Sequence, residues 1–269
     1  MGRREDVQHR ISLTTVESLS VSDAAVASIE MVAAVVGAAN FTRVSITEGI
    51  DFRGGTLQRA MRFDNVESIG PVTLDRSTAQ GPLCFVDCVF RDDFTLVAAA
   101  LLTPLMLTDC VFDGKLSLDA VSAADPVLIE RSETGSELSL NAGSYAAGLE
   151  LSRLDAKADV RLQDAAASGR FMVESSTFRS ALSLDRMQSS APLEICDVTF
   201  AGSVSFHSGT YCGEVAFRNV EFQGPVIFDS AQFHSPVVFR DVRFLGPVSF
   251  RGACSEIVCG SSTSGSMER

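Results

Sequence analysis

Apolar residues recur along this chain on a fixed ruler. From Phe200 to Phe250, aromatic residues fall at Phe206, Tyr211, Phe217, Phe222, Phe228, Phe233, Phe239 and Phe244, so steps of six and five residues alternate. Stepping back by 11 from Phe250 passes through Phe217, Ile195, Leu184, Leu151, Leu118 and Phe85 to Phe41, and none of the twenty positions is polar. With 46% apolar residues in the chain, such a run arises by chance about once in a million trials, so the period belongs to the fold. The position two residues earlier is apolar at every step, as at Ile50, Met61, Leu83, Leu105 and Val204. A pair at i−2 and i pointing the same way marks a short strand. A second inward column, offset by five, mixes Phe90, Phe112, Phe178 and Phe200 with Ser68, Thr134, Ala156 and Ser189, which predicts looser packing in the middle of the molecule.

Proline supports the same phase. All eight prolines lie three residues before a member of the first column, where a fixed φ and a missing N–H suit a corner. Glycine is frequent one residue earlier, as at Gly70, Gly114 and Gly224, and a positive φ is expected there to absorb the sixth residue of the longer step. Such short units cannot bury their own side chains and must stack on copies of themselves. Four steps make a 22-residue coil, with residues 22 apart stacked about 4.8 Å from one another.

The ends are read separately. Residues 1–10 form an N-terminal segment and residues 11–259 a single solenoid. Within 11–40 two templates compete: a plain five-residue step through Ile11, Val16, Val21, Val26, Met31 and Val36, or a helix capped by Ser22 over the Ala-rich segment Asp23–Val36. Valine content and continuity with the following ruler favour the coil. Ile257 and Val258 suit a last strand, and residues 260–269 are a Ser-rich tail expected to be flexible.

At this point the chain resembles the pentapeptide-repeat family, through units such as Val198-Thr199-Phe200, Val220-Glu221-Phe222, Ala231-Gln232-Phe233 and Val242-Arg243-Phe244. The resemblance implies an all-β fold, a right-handed quadrilateral parallel β-helix with about 22 residues per coil. It departs from the plain family pattern by one added residue in every second unit. Some members of that family resemble duplex DNA in shape and charge and bind DNA gyrase or topoisomerase IV.

Charge and candidate chemistry narrow the function. The net charge of −12 argues against nucleic acid as a partner, because phosphate binding needs basic patches. Asp75, Asp119, Asp185 and Asp229 line one outward column with gaps at Val97, Asn141, Gln163 and His207. This column is the candidate acidic surface for a type II topoisomerase. A second outward column holds Cys84, Met106, Leu128 and Met172, broken by Glu150 and Glu194. Met106, Leu128 and Met172 are the candidate apolar contact for another protein or a second copy. A hydroxyl ladder, Thr73, Thr95, Ser117, Ser139, Ser183, Ser205 and Ser249, reads as a solvated face. His9, His207 and His234 are isolated, and the seven cysteines form no C-x-x-C. Neither a catalytic constellation, a metal site nor a cofactor is expected. Cys88 and Cys110, 22 apart, should stack in the core. No apolar run is long enough to span a bilayer, and Met1–Arg10 lacks the apolar core of a secretory signal. The expectation is a cytoplasmic, non-enzymatic binding or scaffold protein, with the acidic DNA mimic as the alternative.

Overall fold

Coil after coil, the inward side chains dictate a square. The computed structural model describes residues 14–254, together with the backbone of 9–12, 257–259 and 267–268. Expectations for residues 1–8 and for most of the 260–269 tail lie outside the described residues. Every strand pairing is parallel, and there is no helix among the described residues. From Ala39 through the strand at Val248–Ser249 the pairing offset is 22 residues: Leu105, Met106 and Leu107 lie against Val127, Leu128 and Ile129.

Each coil has four faces. In the coil that starts at Met61, they are Met61–Phe63, Val66–Ser68, Val72–Leu74 and Ser77–Ala79, here called the first to fourth faces. The first column supplies the closing inward residue of the first and third faces and is buried from Phe41 to Phe239; Phe250, in the last coil, is half-buried. The second column closes the second and fourth faces, and even Ser68, Thr134, Ala156 and Ser189 are buried there. Aromatic rings stack along the axis at strand spacing. Phe41–Phe63 and Phe63–Phe85 centroids are 4.7 Å apart, and Phe178, Phe200, Phe222 and Phe244 continue at 5.0–5.1 Å. Between these ladders the second column carries Ala123, Thr134, Ala156 and Ala167, with Tyr145 filling the space between the two outer alanines' coils.

The corners correct the glycine expectation. Positive φ occurs in the five-residue steps, two residues after each first-column side chain, every 11 residues from Arg43 to Gly252. Eighteen of those twenty residues are not glycine, with φ between 49° and 59°. Gly70, Gly114 and Gly224, at the corners of the six-residue steps, are not left-handed. They allow close approach instead: a Cβ on Gly224 would stand 2.4 Å from the carbonyl oxygen of Gly202 in the coil below. Gly49 and Gly148, one residue further along in their six-residue steps, do take positive φ, of 112° and 128°.

The two left-handed corners satisfy their backbone differently. After the third face, the N–H returns to the carbonyl three residues back, as Val121 N to Leu118 O (3.4 Å) and Ala231 N to Phe228 O (3.1 Å), a turn with positive φ at its third residue. After the first face, a side chain from the next coil can take that N–H: Cys110 N donates to Ser132 Oγ at 3.1 Å, and Leu154 N to Ser176 Oγ at 3.0 Å. This accounts for short polar side chains in an otherwise apolar column.

The stretch from Thr15 to Val36 is coil and not helix. Strands Thr15–Glu30 and Val35–Asp51 pair with a 20-residue offset as far as Val26, Ser20 opposite Asn40, as plain five-residue steps require, and with an offset of 21 from Ser28 on, where the six-residue step begins. Asp23 and Ala33 have φ of 51° and 52°, which a right-handed helix excludes. At the other end, Ile257–Cys259 pairs with Val237–Phe239, and Met267–Glu268 pairs with Val248–Ser249.

Candidate functional site

The four aspartates of the acidic column follow the third-face strands, half-buried, on one side of the solenoid. The parallel register brings them into one row, yet the carboxylates are bonded to the coil above rather than displayed freely. Asp75 Oδ1 accepts the Val97 N–H at 2.8 Å. Asp119 accepts Asn141 N at 2.8 Å, Ser139 Oγ at 2.5 Å and Ser117 Oγ at 3.1 Å. Asp185 accepts Ser205 Oγ, and Asp229 accepts Ser249 Oγ at 2.5 Å and Arg251 N at 2.9 Å. The Ser249 hydroxyl first, then the Arg251 amide, hold the Asp229 carboxyl below the ordinary aspartate range. Asn141 does the same work without charge, its Oδ1 accepting Gln163 N at 2.8 Å. The hydroxyl ladder is therefore a partner of the acidic column: Ser117 and Ser139 are buried, which corrects the reading of a simple solvated face.

Elsewhere the acids pair along the axis with basic residues of neighbouring coils. Arg131 Nε meets Asp109 at 2.8 Å, Arg186 meets Asp164 at 2.7 Å and Arg179 meets Asp155 at 2.8 Å. Each exposed pair is worth about 0–1 kcal/mol. Together they set many of the charges in stacked plus–minus pairs, with the net −12 as the excess of acids beyond them, an arrangement not apparent from the charge total alone.

The apolar column lies on the first face. Cys84, Met106 and Leu128 occupy three successive strands in register, between Arg62 and Glu150. Cys84 is buried, and Met106 and Leu128 are half-buried. Met172 is separated from Leu128 by the Glu150 strand. Leu128, Glu150, Arg170 and Met172 line a shallow depression of about 290 Å³, rimmed by Pro126 and Gly148. The structure thus joins Met106 to Leu128 and sets Met172 across a charged residue, with Arg170 bonded to Glu194 at 2.7 Å.

His207 is exposed beside Ser208, whose Oγ is 3.2 Å from Nε2, and His234 is exposed on the fourth face. Among the described residues no cluster of three or more His, Cys, Asp or Glu side chains could hold a metal ion. Cys88 and Cys110 stack in the core, and the hydrogen bond that the Cys110 thiol donates to Cys88, together with burial, pushes the Cys110 thiol far above the ordinary range. No helix of the described residues is long and apolar enough to cross a membrane.

A family model described as pentapeptide repeats, with nine copies, matches residues 208–253. No curated protein and no solved structure matches the chain. The matched segment contains the same corners, inward columns and 22-residue register as the coils that precede it, back to Ala39. Residues 208–253 are therefore similar to pentapeptide repeats, and the chain folds as a parallel β-solenoid whose coils alternate five- and six-residue steps.

Proposed function

We propose that this chain is a non-enzymatic protein-binding scaffold that docks a partner through the first face. The observation that carries this reading is the run of Cys84, Met106 and Leu128 on adjacent strands, an apolar strip between Arg62 and Glu150 that continues into the depression at Met172. Outward apolar side chains that recur in one column are the usual mark of a contact surface. A rigid parallel solenoid also presents such a strip without paying an ordering cost on binding. Leu128→Asp is the test, with Ala201→Glu on the second face as the control. A partner held by the parent and by the control should be lost by Leu128→Asp. Retention by Leu128→Asp, or a reproducible turnover activity abolished by a surface substitution, overturns the reading.

The alternative is an acidic surface that takes the place of duplex DNA on DNA gyrase or topoisomerase IV. Its support is the row of Asp75, Asp119, Asp185 and Asp229, held in place by hydrogen bonds from the coil above. It is the weaker reading, because the row is interrupted and its oxygens already serve the fold. Gyrase supercoiling should be inhibited by the parent and not by the four-fold Asp→Asn variant, and equal inhibition by both removes its basis.

A further inference from the structure

Nine successive strands of one face carry no charge. The fourth face has two outward positions in each of nine successive strands, from Thr56 and Gln58 to Gln232 and His234. None of these eighteen residues is Asp, Glu, Lys or Arg. The matching eighteen positions of the same nine coils hold seven charged residues on the first face, eight on the second and seven on the third. Every one of the fourth-face positions is half-buried or exposed. Side chains near its middle are short: Ala100, Ser122, Ala124, Ser144, Ala146 and Ala166.

Charge and area together say what fits there. The chain carries −12, so a second copy approaching any of the other three faces meets like charge, which costs free energy and blocks wrong contacts. On the fourth face it meets none. Nine strands about 4.8 Å apart give a length of roughly 38 Å, and a side of three to four residues is about 12 Å wide. Two copies face to face would then bury roughly 900–1,000 Å² in total, close to the lower limit for a specific interface. Short side chains allow the two sheets to pack at about the 10 Å separation of a β-sandwich.

We propose that two copies of this chain associate side by side through their fourth faces, as a weak, concentration-dependent dimer. This surface is distinct from the first-face strip, and the proposal does not depend on what that strip binds. Ser144 and Ala146 lie on the fifth of the nine strands, so a twofold axis brings them close to their own copies whether the rods run parallel or antiparallel.

Sedimentation equilibrium of the full chain tests it. The mass should rise from 28.7 kDa toward twice that value as protein approaches about 200 µM. The rise should be stronger at about 0.5 M salt than at about 0.15 M, because screening removes repulsion between the other faces. Ala124→Glu/Ala146→Glu should stay at the monomer mass throughout, and so should Ser144→Lys, whose added charge has the opposite sign. Ala201→Glu should behave as the parent. All substituted side chains are exposed, and an unchanged thermal midpoint confirms folding. A parent that stays monomeric at both salt concentrations, or fourth-face variants that dimerise as the parent does, overturns the proposal.

Discussion

Asp119 offers the sharpest test of the idea that the acidic column is structural. Its carboxylate accepts three hydrogen bonds, from Asn141 N, Ser139 Oγ and Ser117 Oγ, and both serines are buried. Hydrogen bonds to a charged acceptor contribute about 1.5–3 kcal/mol each, and a donor left unsatisfied costs about 1–3 kcal/mol. The serine hydroxyls can rotate toward other acceptors, whereas the Asn141 N–H is fixed by the backbone. Asp119→Ala should therefore cost about 2–4 kcal/mol. Asp119→Asn should cost about 1 kcal/mol or less, because an amide oxygen can take the same N–H, as Asn141 Oδ1 does for Gln163 in the next coil. Urea unfolding at neutral pH, followed by far-ultraviolet circular dichroism, measures both. Asp119→Ala within about 0.5 kcal/mol of the parent, or Asp119→Asn as damaging as Asp119→Ala, would refute the reasoning.

Other expectations follow from the core, the corners and the carboxylates. Phe217→Ala removes a buried ring stacked 5.0 Å from Phe239 and should cost about 3–5 kcal/mol in the same assay. Arg218→Ala, whose ion pairs are exposed and 3.6 Å long, should change stability by less than about 0.5 kcal/mol; equal effects would mean the inward and outward sides are exchanged. Ala120 sits at φ 55°, so Ala120→Gly should stabilise by up to about 1 kcal/mol and Ala120→Val should destabilise, which differential scanning calorimetry would resolve. The carboxyls of Asp155, Asp159 and Asp229 are held below their ordinary range, chiefly by Arg179, Ser180 and Ser249 respectively. A depressed folded-state value adds stability above the unfolded-state value of about 3.9 and loses it as pH falls through the folded-state value. The urea midpoint should thus stay level from neutral pH to about 5 and fall below about 4; a fall centred near pH 6 would point to histidine instead.

The inward columns were legible in the sequence because burial leaves little choice of residue at those positions. Phe63, Phe85 and Phe217 could be placed by counting alone. The same count favoured coils over a helix at Asp23–Val36, where inward Val26, Ile29, Met31 and Val36 keep the five-residue phase. The corners were misread because glycine was taken as the sign of positive φ. The left-handed positions are filled by Arg43, Asn65, Asp87, Ala98, Arg131 and Ser175 among others, and their signature is the absence of β-branched and aromatic residues, which tolerate that conformation worst. Glycine marks a different demand, close approach between neighbouring corners. The candidate site was only half legible. Periodicity put the four aspartates in one row, but pairing with the serines 20 residues later, as between Asp229 and Ser249, depends on which way each side chain turns. The charge-free stretch of the fourth face was visible in principle, once the 22-residue period is separated into four columns.

The 22-residue register makes length a modular quantity. Deleting 22 residues from the regular region, for instance residues 128–149, would rejoin like to like: every face would keep its own residue types, and the rod would shorten by one strand spacing, about 4.8 Å. Deleting 11 would keep the core intact yet join the first face to the third and the second to the fourth, because the inward columns repeat at half the period of the outward ones. Genetic duplication or loss in whole coils can therefore lengthen or trim a contact surface without redesigning it, while half-coil changes would preserve the fold and scramble its exterior. The core tolerates two phases, and only the outside distinguishes them.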